Sequence, residues 1–409
     1  MILKVLLLSH SVPFPPNSGY PIVVYNTVKG LLACGAEITL FSLNNSKQYV
    51  DVDDIYDPVF EAIDFHSFTI DIEVNVWDAF VNIFSNQSYN VSRYFDYDAE
   101  KVLENVLREH DFDVVQFEGL FVVPYLDIVK QCSKAKLIYR AHHIEHDVWE
   151  RLALRERFTP RRTYLEFLSR RLKAYEMEQI NRFHEVFAIS EPDRQKLLLM
   201  GCQTRLEVFP VALDFEKYQI DTAKTSFPTL FHLGAMDWRP NKEGLEWFLD
   251  EIWPDIEELS GELRFYIAGK NMQKQFFKYD SDNLIVEGEV FDAVDFINSK
   301  AIMIVPLLSG SGMRVKIIEG MAMQKCIIAT TMAAEGIDCK HGRDILIADT
   351  ADEFYRSILK CITQPNKWRE IGENARKTAE KYHEINSSAK RMFDIYVALL
   401  AAKEDPLSA

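Results

Sequence analysis

Residues 309–319, SGSGMRVKIIE, set two cations, Arg314 and Lys316, directly behind a glycine-rich turn. The turn follows the apolar run 301–308, AIMIVPLL, and the pattern after it is helical. A helix N-terminus carries unpaired N–H groups and partial positive charge, so it favours Asp and Glu. Cations there cost about a few tenths of a kcal/mol unless an anion compensates. The stretch therefore implies an anion held from outside, and phosphate suits it. Gly310 and Gly312 allow the backbone to approach a ligand closely, and Met313 adds an N–H that can point at an oxygen. Arg314 can pair two oxygens at once, and Lys316 supplies a point charge. Glu319 lies one turn beyond Lys316, where a carboxylate can accept hydrogen bonds from sugar hydroxyls. An ordinary strand–helix turn with a solvated Lys316–Glu319 pair fits the same spacing. A Walker loop does not, because the GKS/T ending is missing.

The surrounding pattern sets where such a loop must lie. ILKVLLL at 2–8, a Pro/Ser/Gly loop, the helical pattern YPIVVYNTVKGLLACG and EITLFSL at 37–43 form a strand–helix–strand unit. Gly35 stands at the expected helix C-cap. Further strands are expected in FDVVQF, KLIYR, EVFAIS and RLEVFP. The pattern restarts at 228 with PTLFHLG and continues through RFYIAG, NLIVEG, AIMIVPL, KCIIAT and DILIA. Helical stretches alternate with most of these runs, which predicts parallel sheets covered on both faces. Two α/β halves follow, with DTAKTSFP at 221–228 read as a linker. The tail from 380 onward reads as one long helix. Ligands of such halves bind beyond the C-terminal ends of strands, and the 309–319 loop occupies such an end.

Bulk properties narrow the function. The 409 residues carry a net charge of -16, which argues against a general nucleic-acid binder. The six cysteines are scattered without a CxxC pair, as in reduced cytosolic proteins. No HExxH pattern marks a metal site, and no metal is expected. The N-terminal apolar run is interrupted by Lys4 and reads as a buried strand rather than a signal peptide. No run reaches the length of a membrane span. No GxGxxG follows ILKVLLL or PTLFHLG, which disfavours an NAD dehydrogenase. The segment 151–176, RLALRERFTPRRTYLEFLSRRLKAYE, interleaves basic and apolar residues. It suits peripheral contact with an anionic membrane through 151–173, or equally a solvated face paired with its own glutamates.

The stretch PLLSGSGMRVKIIEGMAMQKCIIATTMAAEGI resembles the donor-site signature of the GT-B glycosyltransferases of family 4 (glycosyl transferases group 1), in the form G-x-R-x-K-x-x-E-x-M-A. FHLGAMDWRPNKEGLEWF is similar to the first strand–loop–helix of that family's C-terminal domain, and NLIVEGEV to its nucleobase loop. RAHHIEHDVWERLA resembles the HNxE segment of its N-terminal domain. The resemblance covers nearly the whole chain. It implies an α/β fold of two Rossmann-like domains facing across a cleft. Residues 1–212, with a crossover helix in 385–409, would form the acceptor-binding domain. Residues 213–384 would form the nucleotide-sugar-binding domain.

The implied activity is a retaining, metal-independent transfer of a hexosyl-type sugar to a glycan or lipid-linked acceptor. The nucleotide-diphosphate sugar would be co-substrate, with no cofactor. The setting would be polysaccharide or glycoconjugate synthesis in the cytoplasm or at the inner membrane face. By resemblance, Arg314 and Lys316 bind the diphosphate and Glu319 the ribose. His142 would contact the donor sugar, and Gly288 and Val290 the nucleobase. Ser311 stands where many members carry a first glutamate. Ala235 follows Gly234 where many carry an arginine, so the third cation is assigned to Arg239, with Lys242 second. Pro240 is expected to hold Arg239 extended. Ser18 and Gly19, before a helix, and Glu118 and Glu145 are acceptor-side candidates; a plain Pro-rich turn also explains the first loop. A GT-B UDP-sugar epimerase and a non-catalytic nucleotide- or glycan-binding scaffold remain the rivals.

Overall fold

The continuous apolar runs become strands buried on both faces, as parallel sheets demand. The computed structural model describes residues 2–73, 89–156, 158–258, 261–310 and 312–402. The chain divides into two compact units, Met1–Ala212 with Ile385–Ala409, and Leu213–Glu384.

The first unit carries β1 (Lys4–Ser9), β2 (Glu37–Asn45), β3 (Asp64–Ile70), β4 (Val114–Glu118), β5 (Lys136–Ala141), β6 (Glu185–Ala188) and β7 (Arg205–Val208). They lie in the order β3-β2-β1-β4-β5-β6-β7, all parallel. The order reverses at the β1–β4 pair, where Leu6 sits between Thr39 and Val115. Alternation along β1 feeds two cores. Leu6 and Leu8 join Val115 and Phe117 on one face. Val5 and Leu7 join Val114 and Ile138 on the other. The sequence gives no sign of β3, because DFHSFTI is polar and only partly buried.

The helix Gly19–Ala33 covers the second face and ends as expected. Gly35 takes φ +84°, and Ala36 N–H returns to the Leu31 carbonyl at 3.1 Å, a Schellman closure. The helix Ile385–Ala401 packs beside it. A Cβ on Gly30 would meet the Ala389 Cβ at 2.6 Å, so the helices touch where one has no side chain. Met392 and Tyr396 are buried there, each contributing about 1.5–3 kcal/mol by leaving water. The tail is thus two helices rather than one. The helix Pro365–His383 stops at Glu384, whose backbone is extended. Leu213 N–H bonds the His383 carbonyl at 2.7 Å, and Leu213 pairs with Glu384 as a parallel bridge. That break comes from a partner distant in sequence, with no Gly or Pro to announce it.

The second unit carries β8 (Thr229–Leu233), β9 (Arg264–Ala268), β10 (Leu284–Gly288), β11 (Ile302–Val305), β12 (Cys326–Ala329) and β13 (Leu346–Ile347). Their order is β10-β9-β8-β11-β12-β13, again parallel, with the reversal between β8 and β11. The stretch 221–228 is not a free linker. Asp221 N–H donates to Asn298 Oδ1 at 3.1 Å, and Ser226 N–H to the Ser299 carbonyl at 3.0 Å. Asn298 and Ser299 satisfy these two backbone groups and so fasten the segment to the second unit. All six cysteines are free thiols. Among the described residues no helix is long and apolar enough to cross a membrane.

Candidate functional site

In open α/β sheets the reversal of strand order leaves a crevice beyond the strand ends, where neighbouring loops diverge. In the second unit the loops after β8 and β11 flank that crevice. Past β11 the chain reaches Gly310 at φ +118° and Gly312 at φ +78°, both left-handed. A Cβ on Gly310 would lie 2.8 Å from the Arg314 guanidinium and 3.2 Å from the Trp238 ring, so only glycine fits. Ser311 lies outside the described residues, and Met313 is half-buried. Arg314 is the N-cap of the helix Val315–Ala322 and has no side-chain cap of its own. Its side chain is buried, donates to the Gly312 carbonyl and lies 5.3 Å from the Trp238 ring centre.

Lys316 reaches across to the loop after β8. Its Nζ donates to Asn241 Oδ1 at 2.7 Å, and a Cβ on Gly234 would lie 2.5 Å from it. Asn241 is itself fixed by donating to the Ala235 carbonyl at 2.8 Å. The solvated Lys316–Glu319 pair is therefore not what forms. Burial, and secondly the Arg314 charge, push the Lys316 amine down to about 7. Burial raises the Glu319 carboxyl, opposed by Lys316 and by the Tyr218 hydroxyl, which donates to Glu319 Oε1 at 2.9 Å. His232, on β8, is lowered to about 3 by burial and then by Lys316, while its Nδ1 meets the Ile304 carbonyl at 2.9 Å.

Arg239 departs from expectation. It opens the helix Arg239–Glu251, is largely exposed, and donates to Glu243 Oε1 at 2.5 Å. Pro240 occupies the first turn of that helix, a position proline tolerates, so it does not hold Arg239 extended towards a ligand. Lys242 lies 4.0 Å from Glu246. The residue of this segment that meets Lys316 is Asn241, which the sequence reading passed over. Gly288 ends β10 at φ +76°, its carbonyl accepting Gly269 N–H at 2.7 Å, and Val290 is half-buried in the following loop.

The first unit has its own crevice beyond β1 and β4. Ser18 caps the helix Gly19–Ala33 with extended backbone and no side-chain bond, and both Ser18 and Gly19 are exposed. Tyr20 ties the two strand ends together: its hydroxyl donates to the Glu118 carbonyl at 2.9 Å and meets Ser9 Oγ at 3.0 Å. Glu118 is fully buried rather than facing an acceptor. Its Oε2 lies 2.6 Å from His142 Nε2, and its Oε1 accepts from Gln116 at 2.5 Å. Burial alone would raise the Glu118 carboxyl, but Arg140, His142 and Gln116 together hold it below its ordinary value. Burial lowers His142, outweighing Glu118. The pair is a neutral imidazole donating Nε2–H to a carboxylate, which leaves Nδ1 as an acceptor.

Glu145 opens the helix Glu145–Arg155 and is also buried. Burial, then the Glu176 charge, push its carboxyl up to about 8. Glu176 in turn accepts Glu145 N–H at 3.1 Å and lies 2.7 Å from His146 Nδ1, capping a helix that lacks a cap of its own. Neither Glu118 nor Glu145 offers an open carboxylate to an acceptor. Among the described residues His146, Asp147 and Glu150 bring metal-ligating atoms together. His146 is already bound to Glu176, and Asp147 accepts from Lys196 at 2.5 Å.

Sequence reasoning missed Asn241, Tyr218, Gln116 and Tyr20. Each makes a hydrogen bond to a residue far along the chain that no local spacing encodes: Asn241 with Lys316, Tyr218 with Glu319, Gln116 with Tyr396 and Tyr20 with Glu118.

Residues 18–217 match the sequence model of Glycosyltransferase Family 4, and residues 227–364 that of Glycosyl transferases group 1. An uncharacterized 44.6 kDa protein in the cps region of Klebsiella pneumoniae is 23% identical over 170 residues, 39% of this chain and 42% of that protein. The chain's match thus spans less than half the length of that curated relative. Sucrose-phosphate synthase from Thermosynechococcus elongatus shares the fold with a TM-score of 0.72 at 13% identity, over 98% of this chain and 100% of that one. HepE of Anabaena, solved in complex with UDP-glucose, gives 0.66 at 13% identity, over 97% and 100%.

Proposed function

Since the chain belongs to the group 1, family 4 glycosyltransferases and has their GT-B fold, we propose that it transfers a sugar from a nucleotide-diphosphate sugar to a glycan or lipid-linked acceptor. The observation that carries this is the Arg314–Lys316 pair. Arg314, buried, and Lys316, half-buried, stand two residues apart at a helix N-terminus whose charge is already positive. An apo arrangement of that kind is unfavourable, and a diphosphate resolves it. HepE, which is similar in fold, is solved with UDP-glucose, which supports a nucleotide-sugar donor here.

In this reading the second unit holds the donor. Arg314 and Lys316 neutralise the diphosphate as the glycosidic bond breaks, which is where charge develops. Lys316 takes up a proton when the diphosphate binds. Glu319 receives ribose hydroxyls, and the backbone at Gly288 and Val290 borders the nucleobase. The first unit holds the acceptor near Ser18 and Gly19. His142, fixed by Glu118, offers Nδ1 to a sugar hydroxyl. Retention of configuration accords with a front-side route in which the leaving phosphate accepts the acceptor's proton.

The exposed Leu152, Leu154 and Phe158, with Arg170 also exposed, support contact with an anionic membrane face. Arg161 and Arg162 are paired with Glu156 and Glu166, which limits that charge. Arg157 and the Arg155 side chain lie outside the described residues. Flotation with phosphatidylglycerol vesicles, lost in a Leu154→Glu, Phe158→Glu variant, tests this contact.

The activity is tested by nucleoside diphosphate release from a panel of nucleotide sugars with lipid-linked and soluble glycan acceptors. Arg314→Ala should remove most turnover while the fold survives. Near-wild-type turnover in that variant overturns the assignment. Isomerised donor without transfer identifies an epimerase instead.

A further inference from the structure

The segment between β7 and β8 does more than join the two units. Asp214 caps a short turn by accepting Glu216 N–H at 3.1 Å. Phe215 lies under the Arg376 guanidinium, 4.4 Å from its ring centre. The same guanidinium donates to the Tyr218 carbonyl at 3.4 Å and to the carbonyl of Ala322, the last residue of the helix Val315–Ala322. Arg376 is held in turn by Glu380 at 2.6 Å. One guanidinium thus clamps the 215–218 turn onto the C-terminal end of the helix that carries Arg314, Lys316 and Glu319.

The clamp delivers one functional group. Tyr218 is half-buried, and its hydroxyl donates to Glu319 Oε1 at 2.9 Å. Burial and the Glu319 charge keep the phenol protonated, so it acts as donor. A carboxylate on a helix has free rotation about its last bonds unless something fixes it. A donor on Oε1 fixes the plane of the group and leaves Oε2 oriented. It also stabilises the ionised form against the cost of burial.

We propose that Tyr218 is a positioning residue of the nucleotide site, orienting Glu319 so that its carboxylate meets a vicinal diol. The inference rests on the reading of this unit as the donor site. It makes the ligand class narrower: a ribonucleotide in preference to its deoxy counterpart. A site built to hydrogen-bond a hydroxyl rejects the analogue lacking it, because the carboxylate is then left unpaired.

The test uses the full chain and calorimetric titration with UDP, GDP and ADP. The nucleotide that binds is then compared with its 2′,3′-dideoxy analogue. Wild type should prefer the ribonucleotide by tenfold or more. Tyr218→Phe should lose most of that preference by weakening the ribonucleotide alone. Glu319→Gln should do the same, and adding Tyr218→Phe to it should change nothing further. If wild type binds one nucleotide and Tyr218→Phe keeps the full preference, the positioning role falls while the donor-site reading stands. Equal weakening of both ligands in Tyr218→Phe makes the residue merely structural and also overturns the role. If no nucleotide binds wild type, both readings fall together.

Discussion

Lys316 offers the sharpest test of how the second unit binds an anion. Its amine lies near pKa 7 in the unliganded fold, against an ordinary 10.5, because burial and Arg314 disfavour its charge. The unfolded chain therefore binds one more proton across that window, and this group makes stability rise with pH between about 7 and 10.5. A diphosphate reverses the preference by supplying opposite charge, so binding should draw a proton onto Nζ. If the bound amine stays protonated throughout, affinity falls towards tenfold per pH unit above 7. Between pH 6.5 and 8.5 the loss should be roughly 25-fold. A nucleotide sugar is the suitable ligand, since its diphosphate diester does not titrate there. Calorimetric titration at each pH, in two buffers of different ionisation enthalpy, reads both the affinity and the proton uptake. Lys316→Met should bind weakly at every pH, with the steep dependence gone. A flat affinity profile with no proton uptake in wild type would refute the reasoning.

Three other outcomes follow from the same geometry. His142→Phe should lower transfer by a hundredfold or more while leaving nucleotide affinity unchanged, measured as turnover and binding on one preparation. Glu145→Gln should melt higher than wild type at pH 9 and converge with it near pH 5. A carboxyl raised from 4.5 to about 8 binds its proton more tightly in the fold, so its stabilising effect is lost as pH climbs through that window. Gly310→Ala should cost about 1 kcal/mol or more in stability and weaken nucleotide binding about tenfold, because the methyl enters the left-handed turn against the Arg314 guanidinium.

Much of the fold was legible because parallel strands bury both faces and so read as unbroken apolar runs. VLLL, VVQF, LIY and IMIV announce themselves, whereas β3, DFHSFTI, is half-exposed and does not. The Arg314–Lys316 pair was legible from charge placed where a helix end disfavours it. Arg239 misled, because a cation before a proline resembles an aimed group, whereas in the fold it pairs with Glu243 one turn on. Asn241 and Tyr218 had no local signal. Their roles arise from the β8–β11 reversal and from a clamp by Arg376, contacts that span 75, 101 and 158 residues of sequence. Glu118, at the end of β4, and Glu145, at the helix start after β5, were expected from position to face an acceptor. Their burial, which turns each inward, is a tertiary fact.

The central claim is that the 309–319 loop holds a nucleoside diphosphate. The most direct measurement is thermal unfolding with UDP, GDP, ADP and CMP, in wild type and in Arg314→Ala. At a hundredfold over its dissociation constant, a ligand adds about 2.7 kcal/mol to stability. The account predicts that one diphosphate raises the melting temperature of wild type by about 2–4 °C or more and that Arg314→Ala, still folded, loses the shift. A shift of equal size in both proteins, or none with any nucleotide or with the matching nucleotide sugars, contradicts it.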